Sequence, residues 1–379
     1  MYINGGYRGG ERNDALGLLI IFVLLTLSFN FFSLQGFSVS GAALFAVVFL
    51  FKGFIRIDYF SVFIVIGSAT CLILIFISQS SGAQLDEFTK SFFLTMWFLF
   101  VFGLSFKVTA IKMNFFLVKR WVKVAVLLIV GFQFLQVLEQ FLLGSYSSWF
   151  MLDKYSISTA VTAGRFEAAY LPGYMRPISF YHEPSYLAFV LLLLYAINAE
   201  QIKSKSIQIP LVLGIFFTLS SVVLFFFIIY LILNRFKKDK QLLWLFALFP
   251  LLVLLLAFFP EAFRLNEIIT PGTSGHERIM VPYDLTLKYL ESYPFGLALG
   301  QSTVVFNNSL FLVILYVGVL FPFLLFVLFW SVFNRVQSLV LTLKYFTLLG
   351  CLLFLSGALF TLEGAFFVFL INSLMLVKR

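Results

Sequence analysis

The chain has 379 residues, of which 61% are hydrophobic and only 11% are charged, and its net charge is +9. Soluble domains carry about a quarter charged residues, so this composition excludes a soluble globular protein. Both cysteines, Cys71 and Cys351, lie inside apolar runs, so neither a disulfide framework nor a cysteine metal site is expected. The sequence therefore predicts an integral membrane protein.

Apolar runs long enough to cross about 30 Å of hydrocarbon follow one another along the chain. The first run, Ala15 to Phe32, is too long for the apolar core of a signal peptide and lacks a small-residue cleavage site, so we expect it to be retained. The runs predict an all-α polytopic membrane protein with about ten full transmembrane helices, built as one integral membrane domain over residues 1–379. The predicted spans are 15–32, 36–51, 59–78, 91–106, 121–143, 184–199, 241–259, 307–330, 345–360 and 364–377.

A further apolar run, residues 209–233, has basic residues at both ends. A single crossing would place one basic cluster on the wrong side of the membrane according to the positive-inside rule. The sequence therefore predicts a short helical hairpin over 209–233 that turns near Ser220 and Ser221. A single tilted helix that violates the rule is the alternative.

With this hairpin, 19 of the 26 lysines and arginines fall on one face of the membrane. That face is predicted to be cytoplasmic, with both termini on it. The positive charge then reflects orientation and contact with anionic membrane lipids, and no nucleic-acid partner is expected. Two long polar segments, 144–183 and 260–306, remain on the outer face, and we expect them to form a cap over a functional site.

The first outer segment holds Arg165 and Arg176 and ends at His182 and Glu183, directly before an apolar span. Pro184 suits the first position of a helix, because its missing N–H would have no partner there anyway. Glu183 then lies at the helix N-cap. Its carboxylate is expected to accept hydrogen bonds from the first backbone N–H groups, either as a cap alone or as a cap with a functional contact.

The second outer segment holds Arg264 and then the sequence SGHERI, where a short helix is predicted to carry His276, Glu277 and Arg278. That helical segment is expected to end in the turn at 294–300. The next span opens with polar side chains, among them Asn308.

Neither of the two His-Glu pairs completes a zinc motif, since HExxH requires a second histidine three residues after the glutamate. We therefore expect no metal and no other cofactor. Ionisable groups at the membrane boundary are costly, and their clustering predicts a functional site. Guanidinium groups bind phosphate bidentately and stay charged, so we expect two or three arginines of the outer segments to meet at one outer cavity and bind a lipid-linked diphosphate. Fixed arginines can stabilise such a diphosphate as a leaving group, while a glutamate or histidine removes a proton from an acceptor hydroxyl.

Three stretches of the chain resemble the Wzy-type polysaccharide polymerases and O-antigen ligases, a superfamily of GT-C-like membrane glycosyltransferases. The first runs from Arg176 through EPSYLA, the second is SGHERI followed by YPFGLALG, and the third is NNSLFLVILYVGVL. Ser179 stands where the family commonly has glycine, and Asn307 stands where the ligases commonly have histidine, which favours a polymerase.

The resemblance implies a GT-C-like enzyme at the periplasmic face of the bacterial inner membrane. Such an enzyme polymerises undecaprenyl-diphosphate-linked repeat units into O-antigen or a related surface polysaccharide. It implies that Arg176 and Arg278 bind the diphosphate, with Arg165 and Arg264 behind them. The remaining residues that it implicates are Glu183 or His276 as the general base, His182 to orient Glu183, Glu277 beside the substrate and Asn308 as a donor to sugar or phosphate.

Three other functions remain open at this point: an O-antigen ligase, a flippase or transporter of lipid-linked oligosaccharides, and a non-catalytic membrane scaffold, which would leave the polar residues at the ends of the spans unexplained. Charged residues are rare inside the spans, where only Glu139 and Glu363 lie within apolar runs or at their turns, and this disfavours a transport path. The expected partners are undecaprenyl-diphosphate-linked glycans and membrane lipids, together with a chain-length regulator protein and the flippase.

Overall fold

The structure is a computed structural model in which the described residues fall into two compact units. The first unit lies within Met1–Lys52 and Lys112–Phe227, and the second lies within Gly53–Ile111 and Ile228–Arg379. Apart from a few single positions, the structure describes residues 23–26, 30–34, 37–40, 119–144, 167–168, 171–181, 183–236, 274–296, 308–355 and 362–375.

The first unit contains an antiparallel pair of short strands, β1 (Asn30–Leu34) and β2 (Phe37–Ser40). Leu34 pairs with Phe37, so two residues separate the strands, which is the length of a tight hairpin turn. The sequence of β2, FSVS, alternates apolar and polar residues, a strand period that is lost when hydropathy is averaged over a span-length window. Short strands therefore lie where helix was predicted, at the end of span 15–32 and at the start of span 36–51, whereas the described residues are mostly helical as predicted.

The rest of the first unit consists of helices and a second small hairpin. Helix α1 is Lys119–Leu143, the hairpin strands are β3 (Glu167–Ala168) and β4 (Leu171–Met175), and helices α2 and α3 are Pro184–Ile197 and Lys205–Phe217. Every residue of α2 is buried, and α2 continues through one π-helical turn, Asn198–Ile202. Helix α3 packs on both α1 and α2. Helix α1 and the continuous helix 184–202 are long and apolar enough to cross a membrane, and they confirm the helices predicted at 121–143 and 184–199.

The apolar run at 209–233 is divided in the structure. Helix α3 ends at Phe217, and helix α4 (Ser221–Arg235) begins after a turn in which Leu219 has a φ of 46°. Thr218 Oγ1 donates to the carbonyl of Ile215 at 2.7 Å, so a side chain provides a hydrogen-bond donor for a carbonyl in the last turn of α3. The predicted break near Ser220 is confirmed, while the side of the membrane on which the flanking basic residues lie stays a prediction.

The second unit contains the C-terminal half of α4 and a series of further helices. These are α5 (Ser274–Ser292), α6 (Ser309–Val317), a 3-10 turn (Gly318–Leu320), α7 (Phe321–Val336), α8 (Leu339–Phe354) and α9 (Leu362–Met375). Helix α5 packs on α6, α6 and α7 pack on α8, and α8 packs on α9. The stretch Ser309–Val336 is long and apolar enough to cross a membrane. Phe323, Phe326 and Trp330 of α7 are more than half exposed, as suits a helix that faces lipid.

Helix α8 begins six residues before the predicted span at 345–360, and Lys344, directly before that span, is buried within the helix. Lys344 Nζ donates to Asn234 Oδ1 at 3.0 Å and lies 5.7 Å from the centre of the Tyr230 ring. Ser338 caps the helix by accepting a hydrogen bond from the N–H of Leu341.

Three helices among the described residues are of spanning length, and the predicted spans 91–106 and 241–259 lie outside the described residues. So does the span at 59–78, apart from single positions.

Candidate active site

The segment that carries Arg176 is attached to helix α1 by two glutamine side chains. Gln140 Nε2 donates to the Met175 carbonyl at 2.7 Å, and Gln140 Oε1 accepts from the Met175 N–H at 2.8 Å. Gln136 Oε1 accepts from the N–H of Ile178 at 3.1 Å and from that of Ser179 at 2.8 Å. Arg176 therefore lies on a short stretch of backbone that is anchored on both sides.

Ser179 adopts a backbone conformation that favours glycine. Its φ is 50°, in the left-handed region that costs most residues about 1–2 kcal/mol. Its side chain offsets part of this cost, because Ser179 Oγ donates to the carbonyl of Ile129 at 2.9 Å. This conformation gives a physical reason for the glycine that is common here in the family that the sequence resembles.

Two tyrosines attach the same segment to other parts of the first unit. Tyr174 donates its hydroxyl to the Phe217 carbonyl at 2.9 Å, at the end of α3. Tyr181 donates to the Leu24 carbonyl at 2.8 Å and is 2% exposed. Burial raises the pKa of Tyr181 above its ordinary value, so its hydroxyl remains a hydrogen-bond donor throughout the physiological pH range.

Glu183 occupies the N-cap position of α2 in extended conformation, and Pro184 follows it in the first turn as predicted. The expectation that the carboxylate caps the helix is wrong, since the Glu183 side chain accepts no hydrogen bond from the backbone of that first turn. Instead Ser185 Oγ donates to Glu183 Oε2 at 2.9 Å.

The predicted helix around Arg278 is present and is longer than expected, since α5 extends over 19 residues. His276, Glu277 and Arg278 all lie near its N-terminus, within or just after the first turn. Glu277 is exposed, whereas His276 and Arg278 are half-buried. The helix therefore presents one acidic side chain to solvent and holds the histidine and the arginine closer to the protein.

A proline inside α5 leads to a contact between the second and third motifs. Pro282 has no N–H, so the carbonyl of Arg278, four residues earlier, lacks its usual helical donor. Asn308 supplies a replacement, because its Nδ2 donates to the Arg278 carbonyl at 3.2 Å. Asn308 Oδ1 meanwhile accepts from the N–H of Leu310 at 2.9 Å and caps α6. One buried amide thus connects the arginine helix to the start of the adjoining span.

Replacing Asn308 with aspartate is expected to destabilise this connection selectively. The carboxylate keeps the oxygen that caps α6 but places its other oxygen against the Arg278 carbonyl, which costs about 1–3 kcal/mol. Pro282→Ala restores a backbone N–H that can donate to the Arg278 carbonyl. Asn308→Asp should therefore cost less stability when it is combined with Pro282→Ala than when it is made alone. Thermal unfolding of the purified protein in detergent measures both costs. Equal costs in the two backgrounds would show that the amide does not replace the missing N–H.

An apolar cluster fills the interface between α5 and α6. Leu315 of α6 is fully buried, and the cluster that covers it combines Leu285 and Tyr289 of α5 with Phe311 and Leu312 of α6. These residues recur at the three- and four-residue spacing of one helix face. The contact keeps α5 against α6 along its length, so the position of Arg278 depends on packing as well as on hydrogen bonds.

The C-terminal turn of α5 closes the same interface through two glycines. A Cβ on Gly296 would lie 2.2 Å from the Tyr316 carbonyl oxygen, and a Cβ on Gly318 would lie 2.2 Å from the Pro294 carbonyl oxygen. Both glycines also have positive φ, 104° and 57° respectively. Val319 N donates to the Pro294 carbonyl at 2.9 Å, at the break between α6 and α7. The two backbones approach each other as closely as they do because neither position carries a side chain.

The structure therefore brings Arg278 and Asn308 together in the second unit and places Arg176 and Glu183 on one anchored segment of the first unit. The predicted meeting of the two arginines stays a prediction. Arg165, His182 and Arg264 lie outside the described residues. Over the ranges that the structure describes, no group of three or more histidine, cysteine, aspartate or glutamate side chains is placed to hold a metal ion.

The glutamines of α1 are the residues that sequence analysis missed. Gln133, Gln136 and Gln140 recur at intervals of three and four within a predicted span, so they share one helix face. Polar side chains at membrane depth usually face protein rather than lipid, and this spacing was the available signal. Their partners are backbone groups 35 to 81 residues away, which no local pattern indicates.

Helices of spanning length and apolar composition define the class of helical membrane proteins. The chain matches the WcaD colanic acid polymerase family over residues 16–378. It belongs to this family, which is one of Wzy-type polysaccharide polymerases, and the resemblance seen in the sequence is confirmed. The protein is thus an enzyme of the polymerising glycosyltransferase type. No curated protein and no solved structure matches the chain.

Proposed function

We propose that the protein polymerises undecaprenyl-diphosphate-linked repeat units into O-antigen or a related surface polysaccharide at the periplasmic face of the inner membrane. Membership of the polymerase family over residues 16–378 is the observation that carries this proposal. A polymerase of lipid-linked glycans needs a site where a lipid tail lies among apolar helices and a charged headgroup meets arginines. Arg176 precedes a buried apolar helix and Arg278 is tied to the start of another, which supports such a site.

The proposed architecture is a single GT-C-like integral membrane domain with about ten spans, a helical hairpin at 209–233 and cytoplasmic termini. The outer segments 144–183 and 260–306 form its cap. A chain-length regulator protein and the flippase of the same pathway are its proposed protein partners.

In the proposed reaction, the hydroxyl oxygen of the acceptor repeat unit attacks the anomeric carbon of the growing chain. The bond from that carbon to the diphosphate breaks, and undecaprenyl diphosphate leaves with the electron pair. Glu183 or His276 takes the hydroxyl proton. The donor lipid and the acceptor lipid each carry a diphosphate, and Arg176 and Arg278 bind diphosphate. Arg165, Arg264, His182, Glu277 and Asn308 complete the proposed substrate contacts.

The pattern of surface polysaccharide with and without the gene tests the proposal. Loss of a polymerase is expected to leave a single repeat unit on the lipid core, visible as one band in place of a ladder on a gel. Bare core with accumulated lipid-linked polymer would indicate a ligase, and absence of any exported repeat unit would indicate a flippase. Either of those two results contradicts the proposal.

A further inference from the structure

A row of glutamines on helix α1 provides the hydrogen bonds that shape the segment around Arg176. Gln133 and Gln136 are fully buried, and Gln140 is half-buried. Gln136 and Gln140 together make four hydrogen bonds to the backbone of residues 175–179, at distances of 2.7 to 3.1 Å. The third, Gln133, instead donates through Nε2 to the Gly214 carbonyl of α3 at 2.7 Å.

The stretch from Arg176 to Ile178 forms neither helix nor strand, so no regular ladder of hydrogen bonds defines its path. Its backbone N–H and carbonyl groups lie in a largely buried environment, where leaving them without partners is costly. The amides of Gln136 and Gln140 bind the backbone at the two ends of this stretch, at Met175 on one side and at Ile178 and Ser179 on the other. A shift of the segment by one residue would break all four bonds.

We infer that Gln136 and Gln140 are positioning residues for Arg176, holding the backbone on which its guanidinium meets the diphosphate of a lipid-linked substrate. This inference rests on the proposed function. Fixing the backbone one residue before Arg176 and two residues after it limits the volume that the guanidinium samples. A diphosphate that binds bidentately requires that restriction, because both hydrogen bonds must be aligned at once.

The two glutamines differ in how they bind, and this difference makes the inference testable. Gln136 acts on the segment only as an acceptor, and its Nε2 has no hydrogen-bond partner among the described residues. Gln140 both accepts from Met175 N and donates to the Met175 carbonyl. Gln136→Glu therefore retains the required acceptor in either protonation state. Gln140→Glu, when ionised, loses the donor and places an oxygen against the carbonyl of Met175.

Gln133 offers a matched control on the same helix. Gln133→Leu removes a buried hydrogen bond between a glutamine side chain and the backbone, as the leucine variants of the other two positions do, but it removes no bond to the Arg176 segment. A loss that arises only from weaker packing of α1 should appear equally in all three leucine variants. A loss that arises from misplacing Arg176 should appear only at positions 136 and 140.

The test measures the thermal stabilisation of the full-length purified protein by undecaprenyl diphosphate, for the wild type and each variant. Ligand raises the unfolding temperature according to its affinity, so this increment separates binding from the stability of the protein without ligand. For Gln136→Leu, Gln140→Leu and Gln140→Glu we expect the dissociation constant to rise about tenfold or more, as when one charge-assisted hydrogen bond is lost. For Gln136→Glu and Gln133→Leu we expect an affinity close to that of the wild type, even where the protein without ligand unfolds at a lower temperature.

Two outcomes would overturn the inference in different ways. If the wild type is stabilised by undecaprenyl diphosphate and the leucine variants at 136 and 140 are stabilised equally, the glutamines do not position Arg176 and the proposed function is unaffected. If Gln136→Glu binds as weakly as Gln140→Glu, the hydrogen-bond directions do not matter and the inference is wrong. A wild type that shows no stabilisation would overturn the proposed function itself, and the inference with it.

Discussion

Cells whose polymerase carries Arg278→Ala are expected to make surface polysaccharide with a single repeat unit, while the amount of inserted protein stays near that of the wild type. The reason is electrostatic. A fixed donor at a charge that develops in the transition state contributes about 10² to 10³ in rate, and in the proposed reaction the Arg278 guanidinium is such a donor. The measurement is the length distribution on a gel, normalised to the amount of polymerase in the membrane fraction. Arg176→Ala is expected to give the same result for the same reason.

Two further variants on α5 control this prediction. Lys288→Ala removes a positive charge from an exposed position of the same helix, and it should leave the ladder unchanged. Arg278→Lys keeps the charge but loses the two parallel N–H donors, so it should recover only a small part of the chain length. A normal ladder from Arg278→Ala would exclude a role for this guanidinium in the reaction. Equal losses from Arg278→Ala and Lys288→Ala would point to net charge of the segment rather than to a site.

Hydropathy and helix-end chemistry were sufficient to predict most of the described helices. The spans at 121–143 and 184–199, the break near Ser220 and the helix that carries Arg278 all follow from apolar length, proline and turn residues. These signals are local, since each depends on residues within a few turns of one another. They predict where a helix lies but not which neighbours it contacts.

The contacts that shape the candidate site depend on long-range hydrogen bonds instead. Gln136 meets Ser179 across 43 residues of sequence, and Asn308 meets the Arg278 carbonyl across 30. In both places a buried backbone group lacks a regular partner, because the segment is irregular or because Pro282 interrupts the helix. Buried backbone groups must find partners within the protein, so the amides that bind them also fix the backbone on which each arginine lies. One sequence shows the amides but does not show which carbonyl each one meets.

Replacing Gly318 with alanine is expected to lower the free energy of unfolding by at least about 3 kcal/mol and to reduce the amount of inserted protein. The added Cβ would lie 2.2 Å from the Pro294 carbonyl oxygen and 2.6 Å from the Gly296 nitrogen, and neither backbone atom can move without separating α5 from α6. Alanine is also strained at the φ of 57° that Gly318 adopts. Thermal unfolding in detergent and the yield of membrane-inserted protein measure the effect. Gly296→Ala should be comparably severe, because its Cβ would lie 2.2 Å from the Tyr316 carbonyl oxygen.

Gly131 in the middle of α1 provides the matched control for the glycine contact. No atom of the described chain lies within 4 Å of a Cβ built there, and Ala is the better helix former, so Gly131→Ala should be neutral or slightly stabilising. If Gly318→Ala proved as stable as Gly131→Ala, the backbone at Gly318 could not lie as close to Pro294 as the structure shows. If Gly318→Ala is destabilised as expected, the polymerase that is still inserted should also make shorter polysaccharide. The Asn308 amide holds the N-terminal end of α5, and the glycine contact holds the turn after its C-terminal end. If the C-terminal end separates from α6, the whole helix can shift and carry Arg278 out of position.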